Sequence, residues 1–253
     1  MAKHTDRYQN DNLINLAKNK YEEKNRGTIP SEIITLTSEG KIYPHSSPLA
    51  SGKIEMRYMT AYDEDILTNS SYVKEGIVLD KLLESLIITD INLDDIAQVD
   101  KDGLILNARI LSYGAEYPVQ VTDPKSGKKL DQTIDLSKIK TKTIDIQSDE
   151  KGEFEYTISK HTIKFKFPTN SQSQTVSTIS EYLEQTIVEV NTSRDINDIK
   201  HFIRYEFLAK DSKEFQKYII DNTPMVLLEY DFVGEDGGAF TAGFQVGTNF
   251  FWI

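Results

Sequence analysis

The sequence predicts an α+β fold in which helices pack with antiparallel hairpins. Two kinds of pattern carry that prediction. Apolar residues recur at helical spacing in several blocks, Val78, Leu79, Leu82, Leu83, Leu86 and Ile87 being the clearest. Elsewhere, runs with alternating apolar and polar residues come in pairs around glycine-containing turns, the pattern of strands with one wet face.

Residues 1–28 are rich in Lys, Asn, Asp and Gln, with Leu13, Ile14 and Leu16 as their apolar cluster, and predict a short helix or a mobile arm. From Thr28 to Gly52, Pro30, Pro44, Pro48 and serine-containing turns divide the apolar residues into short extended pieces. Residues 1–52 are therefore assigned to a partly irregular N-terminal arm. Lys53–Met59 alternates charged with apolar residues and predicts a strand, and Thr60 with Asp63 and Glu64 supplies a helix cap directly after it. The apolar stripe at 78–87 predicts a core-facing helix, and 103–113 predicts another, closed by Gly114 as C-cap.

Tyr117–Thr122 and Leu130–Leu136 predict a hairpin around Asp123-Pro-Lys-Ser-Gly127, and a second is expected within Phe154–Phe167. This completes a strand–helix–hairpin domain over residues 53–168. After a Ser/Gln/Thr linker at 169–178, helices are expected over Ile179–Val190 and Ile196–Leu208. A third, opened by Asp211 and Glu214 as a capping pair, runs through Ile220 and is stopped by Pro224. A strand over Met225–Phe232, a turn at 234–238 and a return strand over Ala239–Val246 make residues 169–253 a helical segment with a C-terminal hairpin, packed on the preceding domain. The order of helical segment, strand, glycine turn and strand thus occurs near 103–136 and again near 195–246.

A net charge of −11 opposes nucleic acid as a partner. The absence of cysteine removes disulfides, thiolate metal sites and cysteine nucleophiles together. The first residues carry no apolar signal-peptide core, and no stretch reaches the roughly 18–20 apolar residues of a membrane span. A soluble, unsecreted chain without membrane contact is the expectation.

Catalytic signatures are mostly missing. No Gly-x-Ser-x-Gly elbow, phosphate loop, dinucleotide fingerprint or zincin helix occurs. Counting an EF-hand from Asp90 places Asp95 where glycine is needed and Lys101 where glutamate is needed, so the acids from Asp90 to Asp102 are expected to cap a helix and form a solvated turn. His4, His45, His161 and His201 are scattered, and Glu181 with Glu184 is one of many carboxylate pairs expected among 40 acidic residues. No cofactor, metal or catalytic residue is assigned.

Two turns are more suggestive. Asp123-Pro-Lys-Ser126-Gly127 has the frame of a zinc knuckle, Cys-Pro-x-Cys-Gly, with aspartate and serine in place of the sulfurs, and Val233-Gly-Glu-Asp236-Gly237 repeats the frame. Ordinary glycine hairpin turns have the same look. The chain also ends on Phe250, Phe251, Trp252 and Ile253. Leaving such side chains in water forfeits roughly 1.5–3 kcal/mol each, so they either complete the protein's own core or dock in a partner, and the two roles can coexist.

The order of these elements resembles the T-even-type baseplate hub and hub-assembly proteins of contractile-tailed bacteriophages. The resemblance rests on Gly52-Lys-Ile-Glu-Met-Arg-Tyr-Met-Thr60 with Asp63-Glu-Asp-Ile-Leu67, Leu79-Asp-Lys-Leu-Leu83, Ala108-Arg-Ile-Leu-Ser-Tyr-Gly114 with Glu116-Tyr117, and Phe250-Phe251-Trp252. It covers most of residues 45–253. It implies a non-enzymatic part in building or forming a baseplate hub in the infected bacterial cytoplasm, in contact with other hub or tape-measure proteins as a hetero-oligomer. A transient assembly chaperone absent from the mature virion is an alternative within that setting, and a carboxylate-based cell-wall hydrolase is one outside it. Some related phage proteins carry cysteine pairs at the two turns. This chain departs from them at Asp123, Ser126, Val233 and Asp236, which implies that packing has taken the place of zinc.

Overall fold

The computed structural model describes residues 29–169, 177–244 and 248–251. The expectations for 1–28, for most of the 169–178 linker and for the end of the last strand lie outside these residues. Among the described residues the chain is α+β, with seven α-helices and only antiparallel sheets of two or three strands. Isolated two-stranded sheets are marginal in water, so each must be held by what packs on it.

Strand β1 (Ser31–Thr35) pairs with β2 (Lys53–Arg57), so a stretch of the irregular arm is a strand, and Leu36, Ile42, Tyr43 and Leu49 between the two are buried. Helix α1 (Ala61–Thr68) follows β2 as the capping residues require: the Thr60 N–H donates to Asp63 at 2.7 Å. Helix α2 (Ser70–Glu75), unforeseen in the sequence, is capped by the Asn69 side chain and stopped by Gly76 at φ 73°. Helix α3 (Val78–Leu86) buries the predicted stripe.

The next helix begins earlier than its apolar stripe suggests. α4 spans Gln98–Tyr113 and ends at Gly114 as expected. Asp100, assigned to a solvated turn, is instead fully buried in its first turn. Its carboxylate accepts from the Ser38 N–H and hydroxyl, both at 2.7 Å, and from the Tyr43 hydroxyl at 2.6 Å. The Ala97 N–H donates in turn to Tyr43 at 3.0 Å. Burial raises the Asp100 carboxyl above its ordinary range, and burial beside this acid pushes the Tyr43 phenol well up.

The first hairpin forms from β3 (Glu116–Thr122) and β4 (Lys129–Asp135). β5 (Thr141–Lys142) precedes the second, β6 (Phe154–Ile158) and β7 (His161–Phe165). Helix α5 ends at Thr186, not at Val190 (Ile179–Thr186). Ile187–Val190 is strand β8, which fills the free edge of β7. Its Ile-Val-Glu-Val sequence suits a pleated, half-buried surface better than a helix.

Helix α6 (Ile196–His201) widens into a π turn over Phe202–Glu206, short of Leu208; this stacks Phe202 on Phe207 with ring centroids 4.8 Å apart. Helix α7 spans Ala209–Asn222, so Asp211 lies inside its first turn and the pair Asp211/Glu214 does not open it. The single strand expected over Met225–Phe232 is two. β9 (Met225–Val226) pairs with β5, and β10 (Glu229–Val233) pairs with β11 (Ala239–Gly243). The Leu227 N–H is drawn to the Lys140 carbonyl at 2.9 Å, which breaks the run between the two partners. A short 3₁₀ turn, Thr248–Phe251, follows. One apolar cluster extends from Ile34 to Phe251, across the boundaries drawn at 52/53 and 168/169.

Arg57 and Asp63 form the clearest buried ion pair. Two parallel bonds join them at 2.7 and 2.8 Å, and Ser85 donates to the same carboxylate at 2.7 Å. Burial alone would raise the Asp63 carboxyl, but Arg57, the Thr60 N–H and Ser85 together hold it below its ordinary value. Arg194 does the same for Glu153. Carboxyls with depressed folded-state values contribute stability that is complete above the unfolded value of about 4 and is lost as pH falls through the folded value. Asp100 has the opposite sign, its contribution declining as pH rises. Asp63→Asn leaves Arg57 buried without its counter-ion and is expected to cost about 3–5 kcal/mol. Thermal melts of the wild type should fall steadily from pH 6 to about 3, and Asp63→Asn, measured in the same way, should start lower and fall less.

Candidate functional site

The structure brings the two knuckle-framed turns into contact. Asp123, 2% exposed, sits at their junction. Its carboxylate accepts from the Lys125 N–H at 2.8 Å and the Ser126 hydroxyl at 3.0 Å within its own turn, and from the Glu235 N–H at 3.3 Å across to the second. Lys125 pairs with Asp236 at 2.8 Å and Lys128 with Glu235 at 3.0 Å. Gln132 donates to the Val233 carbonyl at 2.6 Å. The Lys125 N–H foremost, with the Glu235 N–H and Ser126, holds the Asp123 carboxyl below its ordinary value, so it is an anion at neutral pH.

The sequence frame places these residues unevenly. Asp123 and Ser126 point into the junction, and Gly127 and Gly237 take the left-handed conformations, φ 70° and 79°, that close the turns. Asp236 reaches the junction through Lys125. Val233 is 57% exposed, and the residue of the second turn that faces Asp123 is Gly234, where a Cβ would lie 3.2 Å from the carboxylate. No group of three or more metal-ligating side chains occurs among the described residues. What joins the turns is one central carboxylate with two flanking ion pairs.

Of the second set of predicted residues, two lie in the core. Phe250 and Phe251 are each 1% exposed; Trp252 and Ile253 lie outside the described residues. The Phe250 ring centroid is 4.9 Å from that of Tyr117 on β3 and 6.5 Å from that of Phe244. Its carbonyl accepts from Arg109 Nε at 3.2 Å. Arg109, fully buried near the end of α4, also donates to the Gly114 carbonyl at 3.2 Å and lies over the rings of Tyr113 and Tyr117, 4.8 and 5.7 Å from their centroids. No carboxylate among the described residues pairs with it. Carbonyl oxygens and ring faces carry the charge instead. The signal was present in the sequence, an arginine amid Leu104, Ile105, Leu106, Ala108, Ile110 and Leu111, but its partner is 141 residues away.

A cavity of about 390 Å³ lies elsewhere, bordered by Tyr43, Ser47, Asp95, Lys166, Phe167 and Val188 among others. Asp95 is its one carboxylate among the described residues, since Asp100 is sealed behind Tyr43. A two-carboxylate hydrolase needs a second acid facing the same space. No described helix is long and apolar enough to cross a membrane.

If the turn junction is a metal-free clasp, EDTA leaves the melting temperature unchanged, whereas Asp123→Ala lowers it. Lys125→Glu lowers it less, and adding Asp236→Lys restores the loss. A chelator-induced drop reversed by zinc would contradict this.

Among known proteins, the family model described as T4 bacteriophage base plate protein matches residues 32–229. Neither a curated protein nor a solved structure matches the chain.

Proposed function

The chain belongs to the T4 bacteriophage base plate protein family, and from that premise we propose that it is a non-enzymatic component or assembly factor of the baseplate hub, acting by protein–protein contact. The family match over most of the chain is the observation that carries this reading. The chemistry of the interior supports it. Asp63, Asp100 and Asp123 are each bonded by groups of the same chain, and each ties one segment to another. A carboxylate held in this way is a fastener, because a catalytic acid or base must reach a substrate proton.

The partners that fit this reading are other hub or tape-measure proteins, bound in a hetero-oligomer. Assembly would take place in the host cytoplasm and end in the tail baseplate. A transient chaperone that departs before the particle is complete remains the second reading, favoured by the same contacts. The hydrolase is the least supported, since among the described residues no second carboxylate borders the cavity.

Comparing the protein content of purified tails with that of infected cells tests the proposal. A hub component is expected in both, in fixed ratio to the other baseplate proteins. An assembly factor is expected in cells alone, with baseplates absent when its gene is disrupted. Normal baseplates without the gene product would contradict both.

A further inference from the structure

We propose that the outer edge of β11 is a strand-addition site for an extended, lysine- or arginine-bearing segment of another baseplate protein. The inference rests on the baseplate reading above and names the surface through which it would act.

In an antiparallel pair, alternate residues exchange main-chain bonds with the partner strand while those between them turn their N–H and C=O groups outward. Hydrogen bonds flanking the ladders fix which are which. Asp123–Lys128 and Ala115–Leu136 bracket the first hairpin; Gly234–Gly238 and Leu228–Phe244 bracket the second. Counting in twos along each register, the outward rows are Glu116, Pro118, Gln120 and Thr122 on β3, and Lys129, Asp131, Thr133 and Asp135 on β4. They are Glu229, Asp231 and Val233 on β10, and Ala239, Thr241 and Gly243 on β11.

Exposed edges invite pairing with other chains, and proteins blunt them with proline, charge or cover. Three of these four edges are blunted. Pro118 removes an outward donor from β3, and Lys129, Asp131 and Asp135 charge β4. On β10, Gln132 covers the Val233 carbonyl, and the Glu229 N–H turns to the Leu227 carbonyl at 2.7 Å. β11 has none of these devices. Ala239, Thr241 and Gly243 are exposed, small and uncharged, and no described residue bonds to their main-chain groups. Among the described residues, no side chain bonds across these three open rungs.

Charge identifies the occupant. Behind this row, on the same face of the hairpin, stand Glu229 and Asp231, and no cation among the described residues pairs with either. Asp231 accepts only from the Thr241 hydroxyl, at 2.6 Å. A lysine or arginine on an added strand can reach across β11 to both acids. A second copy of this chain, itself at −11, offers no such complement. The other uncharged outward row, Ser31, Ile33 and Thr35 on β1, backs onto Lys53, Glu55 and Arg57, whose mixed signs select nothing.

Amide hydrogen exchange of the full-length protein, alone and in the complex recovered through a tag from infected cells, tests the proposal together with Thr241→Pro. The substitution removes an outward N–H that makes no bond in the isolated chain, together with the exposed hydroxyl bond to Asp231, so its melting temperature should match that of Thr241→Val, which loses the hydroxyl alone. Ala239, Thr241 and Gly243 should exchange freely in the isolated chain and slow in the complex. Recovery of the complex should fall about tenfold with Thr241→Pro and not with Thr241→Val, which loses the hydroxyl bond to Asp231 but keeps the N–H, as expected for one lost rung. Unchanged exchange on complex formation overturns the proposal, and so does a Thr241→Pro complex as abundant as wild type. Protection already present in the isolated protein, with a dimer in sedimentation, overturns it in favour of a second copy. If Thr241→Pro lowers the melting temperature below that of Thr241→Val, the wild-type exchange comparison decides alone. A wild-type chain recovered without any baseplate protein contradicts the functional reading instead, so the two failures are distinguishable.

Discussion

Helix α4 carries two fully buried charged side chains, Asp100 in its first turn and Arg109 near its last, and segments from both ends of the described chain bond to them, although Arg109 Nη2 has no hydrogen-bond partner among the described residues. Taking a charge out of water costs several kcal/mol unless donors or acceptors replace the lost hydration. For Asp100 the replacements come from Ser38 and Tyr43, which fasten the segment between β1 and β2 to the helix. For Arg109 they come from the carbonyls of Gly114 and Phe250 and from two tyrosine rings, which fasten the C-terminal turn and the first hairpin. One helix therefore holds both ends of the described chain. Its interior supplies the apolar contacts that pay for neither charge alone but keep both dry.

The same arrangement explains how small sheets persist in a chain with no cysteine to form disulfides. Each hairpin offers one half-buried face, and the two near the C-terminus share the Tyr117, Phe244 and Phe250 rings at one end and the Asp123 junction at the other. Aromatic packing joins the hairpins at one end, while the turn contacts fix the register in which they meet at the other. At the junction a carboxylate accepting four hydrogen bonds joins the turns.

Local features of the fold were legible in the sequence because their causes are local. Thr60 with Asp63, the stripe at 78–87, Gly114 and both hairpin turns each act within a few residues. Features decided by distant partners were not. Ser31–Thr35 is a strand because β2 lies beside it, and Ile187–Val190 leaves its helix because β7 has an open edge. Asp100 reads as a surface acid until Ser38, 62 residues earlier, is seen to bond it. At the turns, composition marked Asp123, Ser126, Val233 and Asp236 as equivalent knuckle positions but could not tell that the two turns meet, nor that Val233 turns outward and Gly234 inward, since a one-residue shift in a strand reverses every side chain.

The claim on which this account rests is that the C-terminal turn is part of the core and not an exposed tail. Thermal unfolding of a chain ending at Asn249 tests it most directly. Losing Phe250 alone removes a buried ring worth about 3–5 kcal/mol and leaves Arg109 short of an acceptor, a large share of the roughly 5–15 kcal/mol that stabilises a typical protein. The account predicts a chain that is unfolded, aggregated or far less stable. A truncated protein with the wild-type melting temperature that fails only to bind its partner would contradict it.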